Sequence, residues 1–247
     1  MKPSLRIFLD QLIDYAGLFP PAGLSMQDAV RNYARYREGE FAFALGKFVV
    51  PQDRAHEVPS DFPLSVLGID EIKASTREDV ERIAGEANGR TVYVEIADVA
   101  LLDAIAEHGL RAKIRTGGIS ADAFPAPDSV AAFLRACKRA GVAFKATAGL
   151  HHPVRCIKAL TYEPHAPTGT MHGFVNVFLA AAILDRADEI LREEDPHAFA
   201  FDDDGASWRD AQVSLAELER TRREFAISFG SCSFEEPLAD LEELGWL

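Results

Sequence analysis

The chain has 247 residues, 48% of them hydrophobic, with a net charge of −13 and a pI near 5.0. So acidic a chain lacks the basic face that nucleic-acid phosphates require and is repelled by an anionic membrane surface. Its length and apolar content suit one domain with a sizeable core, and its three widely spaced cysteines, Cys137, Cys156 and Cys232, form neither a disulfide framework nor a zinc motif, which favours a reducing cytoplasm.

Taken in chain order, short apolar strands alternate with amphipathic helices. The N-terminal stretch carries Asp10 and Asp14 and no long apolar run, so it does not read as a signal peptide. A strand over 13–18 leads to a helix over 25–38, with Ser25 as its cap. A strand over 44–50 is followed by a short polar segment, 52–62. Next come a strand over 64–69 and a helix over 76–87, where Thr76 and Asp79 make a capping-box pair. Strands over 92–96, 111–115 and 142–146 precede helices over 99–108, 128–140 and 171–194. The last of these holds the longest apolar run, 174–184. Asn176 interrupts it and it is too short to span a bilayer, so it reads as a buried helix. Strands over 199–201 and 225–229, with helices over 210–224 and 238–244, complete the chain. Acidic stretches at 189–195 and 235–243 read as solvated helix faces.

Eight strands, each followed by a helix or a short substitute, predict an α/β fold: a single-domain (β/α)8 TIM barrel over residues 1–247. A doubly wound sheet would want a glycine-rich phosphate turn after the first strand. The chain has Gly17-Leu18-Phe19-Pro20-Pro21 there. In a barrel, function sits at the C-terminal strand ends. The residues that this rule picks out are Asp14 and Tyr15, Asp70 and Glu71, Glu95 and Asp98, Lys113, Arg115 and Thr116, Lys145 and Thr147, Asp202, Asp203 and Asp204, and Ser228, Ser231, Cys232 and Ser233.

Lys113 and Arg115 are two residues apart, so they share one face of the fifth predicted strand. They either pair with Glu95 to fill the barrel or face an anionic ligand, which the amides of Thr116, Gly117 and Gly118 can approach closely. Lys145 ends the sixth predicted strand, beside Thr147 on the same face. A lysine there is costly unless its charge is paired or used. Desolvation would lower its pKa and make it a nucleophile, with the nearby Lys113 adding a like charge.

The string Phe144-Lys145-Ala146-Thr147-Ala148-Gly149 resembles the lysine strand of deoxyribose-phosphate aldolase, a class I (Schiff-base) aldolase-type TIM barrel. The resemblance covers about seven residues. It implies a lyase in which Lys145 forms an imine. That family carries a second lysine on its seventh strand, where this chain has Asp202-Asp203-Asp204-Gly205, so the resemblance leaves the substrate open.

His151, His152, His165 and His172 lie close together in the chain after that strand. One reading makes His151 a general acid or base and His152 a binding residue. Another makes His151, His165, His172 and Asp202 ligands of a divalent metal in a hydrolase or isomerase, although the spacing matches no specific metal motif. Ser231, Cys232 and Ser233 suit an oxyanion or phosphate. Cys232 becomes a nucleophile only if a histidine sits beside it.

The expected enzyme is therefore an aldolase-like carbon–carbon lyase of small-molecule metabolism, acting on a small oxo-acid or phosphorylated aldehyde without a cofactor. Lys145, Lys113, Glu95 and His151 would be catalytic. Arg115, Thr116, Gly117, Gly118, Thr147, His152, Ser231, Cys232 and Ser233 would bind the substrate. The expected partners are a small anionic substrate and, left open, a second copy of the chain. Nucleic acid and membrane are not expected. A non-catalytic anion-binding barrel is the remaining alternative.

Overall fold

A computed structural model describes residues 1–247. In chain order the elements are α1 (Pro3–Leu9), β1 (Ile13–Tyr15), α2 (Met26–Arg37), β2 (Leu45–Pro51), β3 (Leu64–Leu67), β4 (Glu71–Lys73), α3 (Arg77–Ala87) and β5 (Tyr93–Glu95). There follow α4 (Leu102–Glu107), β6 (Arg111–Arg115), α5 (Pro127–Ala140), β7 (Phe144–Thr147), β8 (Cys156–Ala159), β9 (Thr168–Met171), α6 (Phe174–Ala182) and α7 (Ala187–Ile190). The chain ends with β10 (Phe199–Phe201), β11 (Gly205–Trp208), β12 (Ala211–Ser214), α8 (Leu215–Glu224), β13 (Ala226–Ser231) and α9 (Glu235–Glu243).

Strands buried on both faces must be apolar nearly throughout, and such segments close on themselves here. Eight parallel strands form a closed barrel in the order β1-β13-β7-β6-β5-β4-β3-β2, the α/β (β/α)8 architecture expected from the sequence. Local signals set the helix ends. Ser25 Oγ accepts the Asp28 N–H at 3.1 Å, and Thr76 and Asp79 close a reciprocal capping box on α3. Each such cap contributes about 1 kcal/mol.

Two strand assignments change. The segment 199–201, expected in the barrel, pairs antiparallel with β11 in a small sheet, β10-β11-β12, outside it. Its apolar character extends the main core, because the Phe201 ring packs 5.2 Å from buried Phe8 and 5.6 Å from Trp246. The barrel strand the sequence concealed is β4, Glu71-Ile72-Lys73. Parallel neighbours normally need a long crossover. Here only Gly68, Ile69 and Asp70 separate β3 from β4, and the chain steps sideways with one pairing, Leu67↔Glu71. Lys145 therefore stands on the seventh barrel strand rather than the sixth.

The expected helix over 171–194 is broken into α6 and α7. Buried Asn176 accounts for part of this: its Oδ1 accepts from Arg155 N, and its Nδ2 donates to the carbonyls of Ile190 and Glu193. A hairpin of β8 and β9 was not legible in the sequence. Within the segment expected as a helix over 210–224, β12 precedes α8.

Aromatic rings pack in two clusters along neighbouring strands, Tyr15, Tyr33, Phe48 and Phe62 beside β1 and β2 and Phe144, Phe174, Phe178 and Phe229 beside β7 and β13. At the N-terminal end, buried Arg222 donates to the main-chain oxygens of Phe8, Asp10, Ala226 and Ile227 and ties α8 to the barrel. No helix is long and apolar enough to cross a membrane.

Candidate functional site

A cavity of about 360 Å³ opens at the C-terminal ends of the barrel strands. Its floor is built by alternation along the strands, which turns every second side chain inward. Lys145 and Thr147 of β7 reach it, as do Lys113 and Arg115 of β6, Glu95 of β5 and Glu71 of β4. Lys113 and Lys145 are directly opposed across the β6–β7 pairing.

At the floor these charges interlock. Lys145, 1% exposed, donates from Nζ to Asp14 Oδ2 and to Glu71 Oε1, both at 2.6 Å. Lys113 Nζ bonds Glu71 Oε2 at 2.8 Å and lies 3.0 Å from Glu95 Oε2. Two serines complete the carboxylate shells: Ser65 Oγ donates to Glu71 Oε1 at 2.7 Å and Ser228 Oγ to Asp14 Oδ2 at 2.8 Å. The Lys47 main-chain N–H fixes the other oxygen of Asp14 at 2.7 Å. A Cβ on Gly46 would collide with Asp14 Oδ1, so glycine makes room for that carboxylate.

This geometry reverses the pKa expected for Lys145. Burial pulls its ammonium down, but Asp14 and Glu71 outweigh burial and hold it above the ordinary lysine value. Lys113 does not depress it, because Glu71 lies between the two amines and neutralises the like charge. For Glu71, burial pushes the carboxyl up, and the ammonium groups of Lys145 and Lys113 overcome this and hold it far below the usual range. Replacing a buried ion pair by apolar residues is often neutral or stabilising, so such a network is weak support for a purely structural role.

The rim carries a second cluster. Ala148 (φ 62°) and Gly149 (φ 74°) turn the chain sharply after β7 and bring His151 and His152 over the cavity. His151 Nδ1 lies 2.9 Å from Glu236 Oε2, and its Nε2 lies 4.0 Å from Cys232 Sγ. Burial lowers the His151 pKa, but Cys232 and Glu236 more than offset that and raise it to about 9. Tyr162 OH donates to Glu236 Oε2 at 3.0 Å. His152 Nδ1 lies 2.6 Å from Asp240 Oδ2, so its outer side is tied to α9.

Of the sequence candidates, Lys145, Lys113, Glu95, His151, Arg115, Gly118, Thr147, His152 and Cys232 all line the cavity. Thr116, Gly117, Ser231 and Ser233 do not. Thr116 is fully buried and donates to the Ala148 carbonyl at 2.7 Å, which ties two loops together. A Cβ on Gly117 would meet Phe124 Cε1 at 2.5 Å and Gly149 Cα at 2.8 Å, so this glycine packs loops rather than binding an anion. Ser231 Oγ accepts from Ser233 N, and Ser233 Oγ accepts from Glu236 N at the start of α9.

The alternative metal set is not assembled. His165 is exposed, Nε2 of buried His172 lies 2.8 Å from the Pro125 carbonyl, and Asp202 closes its own turn by accepting from Asp204 N and Gly205 N. No group of three or more His, Cys, Asp or Glu residues is placed to hold a metal ion. Sequence reasoning missed Glu71 as the centre of the floor and Glu236 at the rim. In the sequence Glu71 is picked out only by its position at a strand end, and Glu236 sits in a stretch that reads as solvated acid.

No protein-family model matches the chain, and no curated protein matches it.

Proposed function

We propose that the chain is an aldolase-like carbon–carbon lyase acting on a small anionic carbonyl compound, an oxo-acid or a phosphorylated aldehyde, through an imine on Lys145. The observation that carries this reading is the Lys145 ammonium at the cavity floor, held between Asp14 and Glu71 at 2.6 Å each. An iminium carries the same single positive charge in the same place. The two carboxylates that flank the ammonium would therefore stabilise the iminium charge, with its single N–H donating to one of them.

Nucleophilic attack requires the amine to lose a proton to the solvent, and Asp14 Oδ2 is positioned to take it first and pass it on. Nζ then bonds the carbonyl carbon, and loss of water from the carbinolamine gives the iminium. Glu95 lines the cavity and serves as the group that moves the proton on the substrate. His151 is not assigned that task, because both its ring nitrogens are engaged, one by Glu236 and one by Cys232. Arg115 and the Gly118 region stand on the same side of the cavity, where they can hold the anionic group.

The raised Lys145 pKa has a cost of about 1.4 kcal/mol for each unit that separates it from the working pH. The rate should therefore climb about tenfold per pH unit through the neutral and mildly alkaline range. An oxo-acid bound as an imine exchanges its α-protons through the enamine. The protein should wash deuterium from D2O into the methyl group of pyruvate, read by proton NMR. Lys145→Arg, which keeps the charge but cannot form the imine, should abolish this. Equal exchange by Lys145→Arg would sink the reading.

A further inference from the structure

Cys232 follows the last residue of β13, and His151 follows the neighbouring barrel strand β7, so barrel closure brings together two residues far apart in sequence. The imidazole sits between a thiol and a carboxylate, with Cys232 Sγ 4.0 Å from Nε2 and Glu236 Oε2 2.9 Å from Nδ1. A carboxylate on Nδ1 fixes the ring orientation and leaves Nε2 facing the sulfur, which is the arrangement that activates a thiol. Cys232 and His151 are 6% and 8% exposed, yet both line the cavity together with Glu236. Cys137, by contrast, is buried with no ionisable neighbour shifting it, and Cys156 lies outside the cavity on β8.

We propose that Cys232, His151 and Glu236 form a nucleophilic relay that transfers or hydrolyses small acyl esters or thioesters at the rim of the barrel. The apolar wall of Phe19, Pro20, Leu160 and Met171 suits a short acyl chain. The sulfur of Cys232 bonds the acyl carbon as the thiolate, its proton held by the His151 imidazolium, the charged form that Cys232 and Glu236 favour. The carbonyl then re-forms, and the bond to the leaving alkoxide or thiolate breaks. That group departs with the proton from His151, and the enzyme holds the acyl group as a thioester. Water, losing a proton to Nε2, attacks this thioester and releases the acid, and the returned proton restores Cys232. No oxidant or further reactant is needed. Glu236 acts through His151 and is a positioning residue. The relay uses none of the groups assigned to the Lys145 step, so each reading can fail without the other.

4-Nitrophenyl acetate is the probe. The protein should give a burst of about one nitrophenolate per chain, with the acetyl group mapped to Cys232 by peptide mass spectrometry. Cys232→Ser should remove that acetyl group. His151→Asn should slow the burst by about 10²–10⁴-fold. Glu236→Gln should slow it less, and Glu236→Asp should restore part of the rate. Cys156→Ser should leave it unchanged. A measurement on the unaltered protein complements these variants: at neutral pH, iodoacetamide should label Cys232 before Cys156, although Cys232 is the more buried. Acetyl groups found only on other residues, a wild-type burst from folded His151→Asn, or labelling of Cys156 first would each overturn the proposal.

Discussion

Lys145→Met removes one of the two cations at the barrel floor and tests whether the buried network is a coupled unit. Asp14 and Glu71, whose side chains are 4% and 2% exposed, then face one another with no ammonium between them. Breaking a buried pair by deleting one partner costs about 3–5 kcal/mol. For a chain of this size that is roughly 6–20 °C in Tm, at about 2–4 °C per kcal/mol. The loss should depend on pH. In the wild type the Glu71 carboxyl is held below its ordinary value, so its contribution is present above the unfolded-state pKa and is lost as pH falls. In the variant Glu71 keeps only Lys113 as a cation and takes up a proton more readily than in the wild type, so the variant's penalty shrinks as pH falls. Both effects narrow the gap between the two proteins towards acid. Urea unfolding at about pH 8 and about pH 3, on either side of the ordinary carboxyl value, reads this directly. Adding Asp14→Asn to the variant should recover at least about 1 kcal/mol at the higher pH. A wild-type-to-variant gap under about 1 kcal/mol, or one that is the same at both pH values, would refute the coupling.

His151 titrates in the opposite sense. Its pKa is raised from the ordinary 6.5 to about 9, so its stabilising contribution is complete below 6.5 and is lost as pH rises to about 9. The difference in unfolding free energy between wild type and His151→Asn should shrink over that window by up to about 3 kcal/mol, and a difference that grows with pH would contradict the assignment. Gly117→Ala places a Cβ 2.5 Å from Phe124 Cε1 and 2.8 Å from Gly149 Cα, so it should destabilise the chain by about 1–3 kcal/mol in thermal unfolding.

The parts of this structure legible in the sequence are those set by local pattern. The caps at Ser25 and Thr76 and the βα rhythm depend on spacing alone, and alternation correctly turns both Lys113 and Arg115, and both Lys145 and Thr147, to the cavity. What stayed hidden depends on distant partners. Glu71-Ile72-Lys73 carries too much charge to read as a barrel strand, and the charge is tolerated only because Glu71 meets two lysines from other strands. The segment 199–201 is apolar enough for the barrel, and nothing local shows that it packs on Phe8 instead. The sign of the Lys145 shift followed the same logic: burial was visible, whereas Asp14, from the other end of the chain, was visible only as a strand-end residue. Glu236 looks like one more acid on a solvated helix until the fold brings His151 to it.

The central claim is that Lys145 forms an imine with a small anionic carbonyl compound. Borohydride reduction of the protein in the presence of oxo-acids and phosphorylated aldehydes, with adducts mapped by peptide mass spectrometry, tests it most directly. The account predicts one reduced adduct per chain, on Lys145, with trapping that accelerates as pH rises. Adducts confined to exposed lysines such as Lys2 and Lys158, with Lys145 unmodified by every carbonyl compound tried, would contradict it.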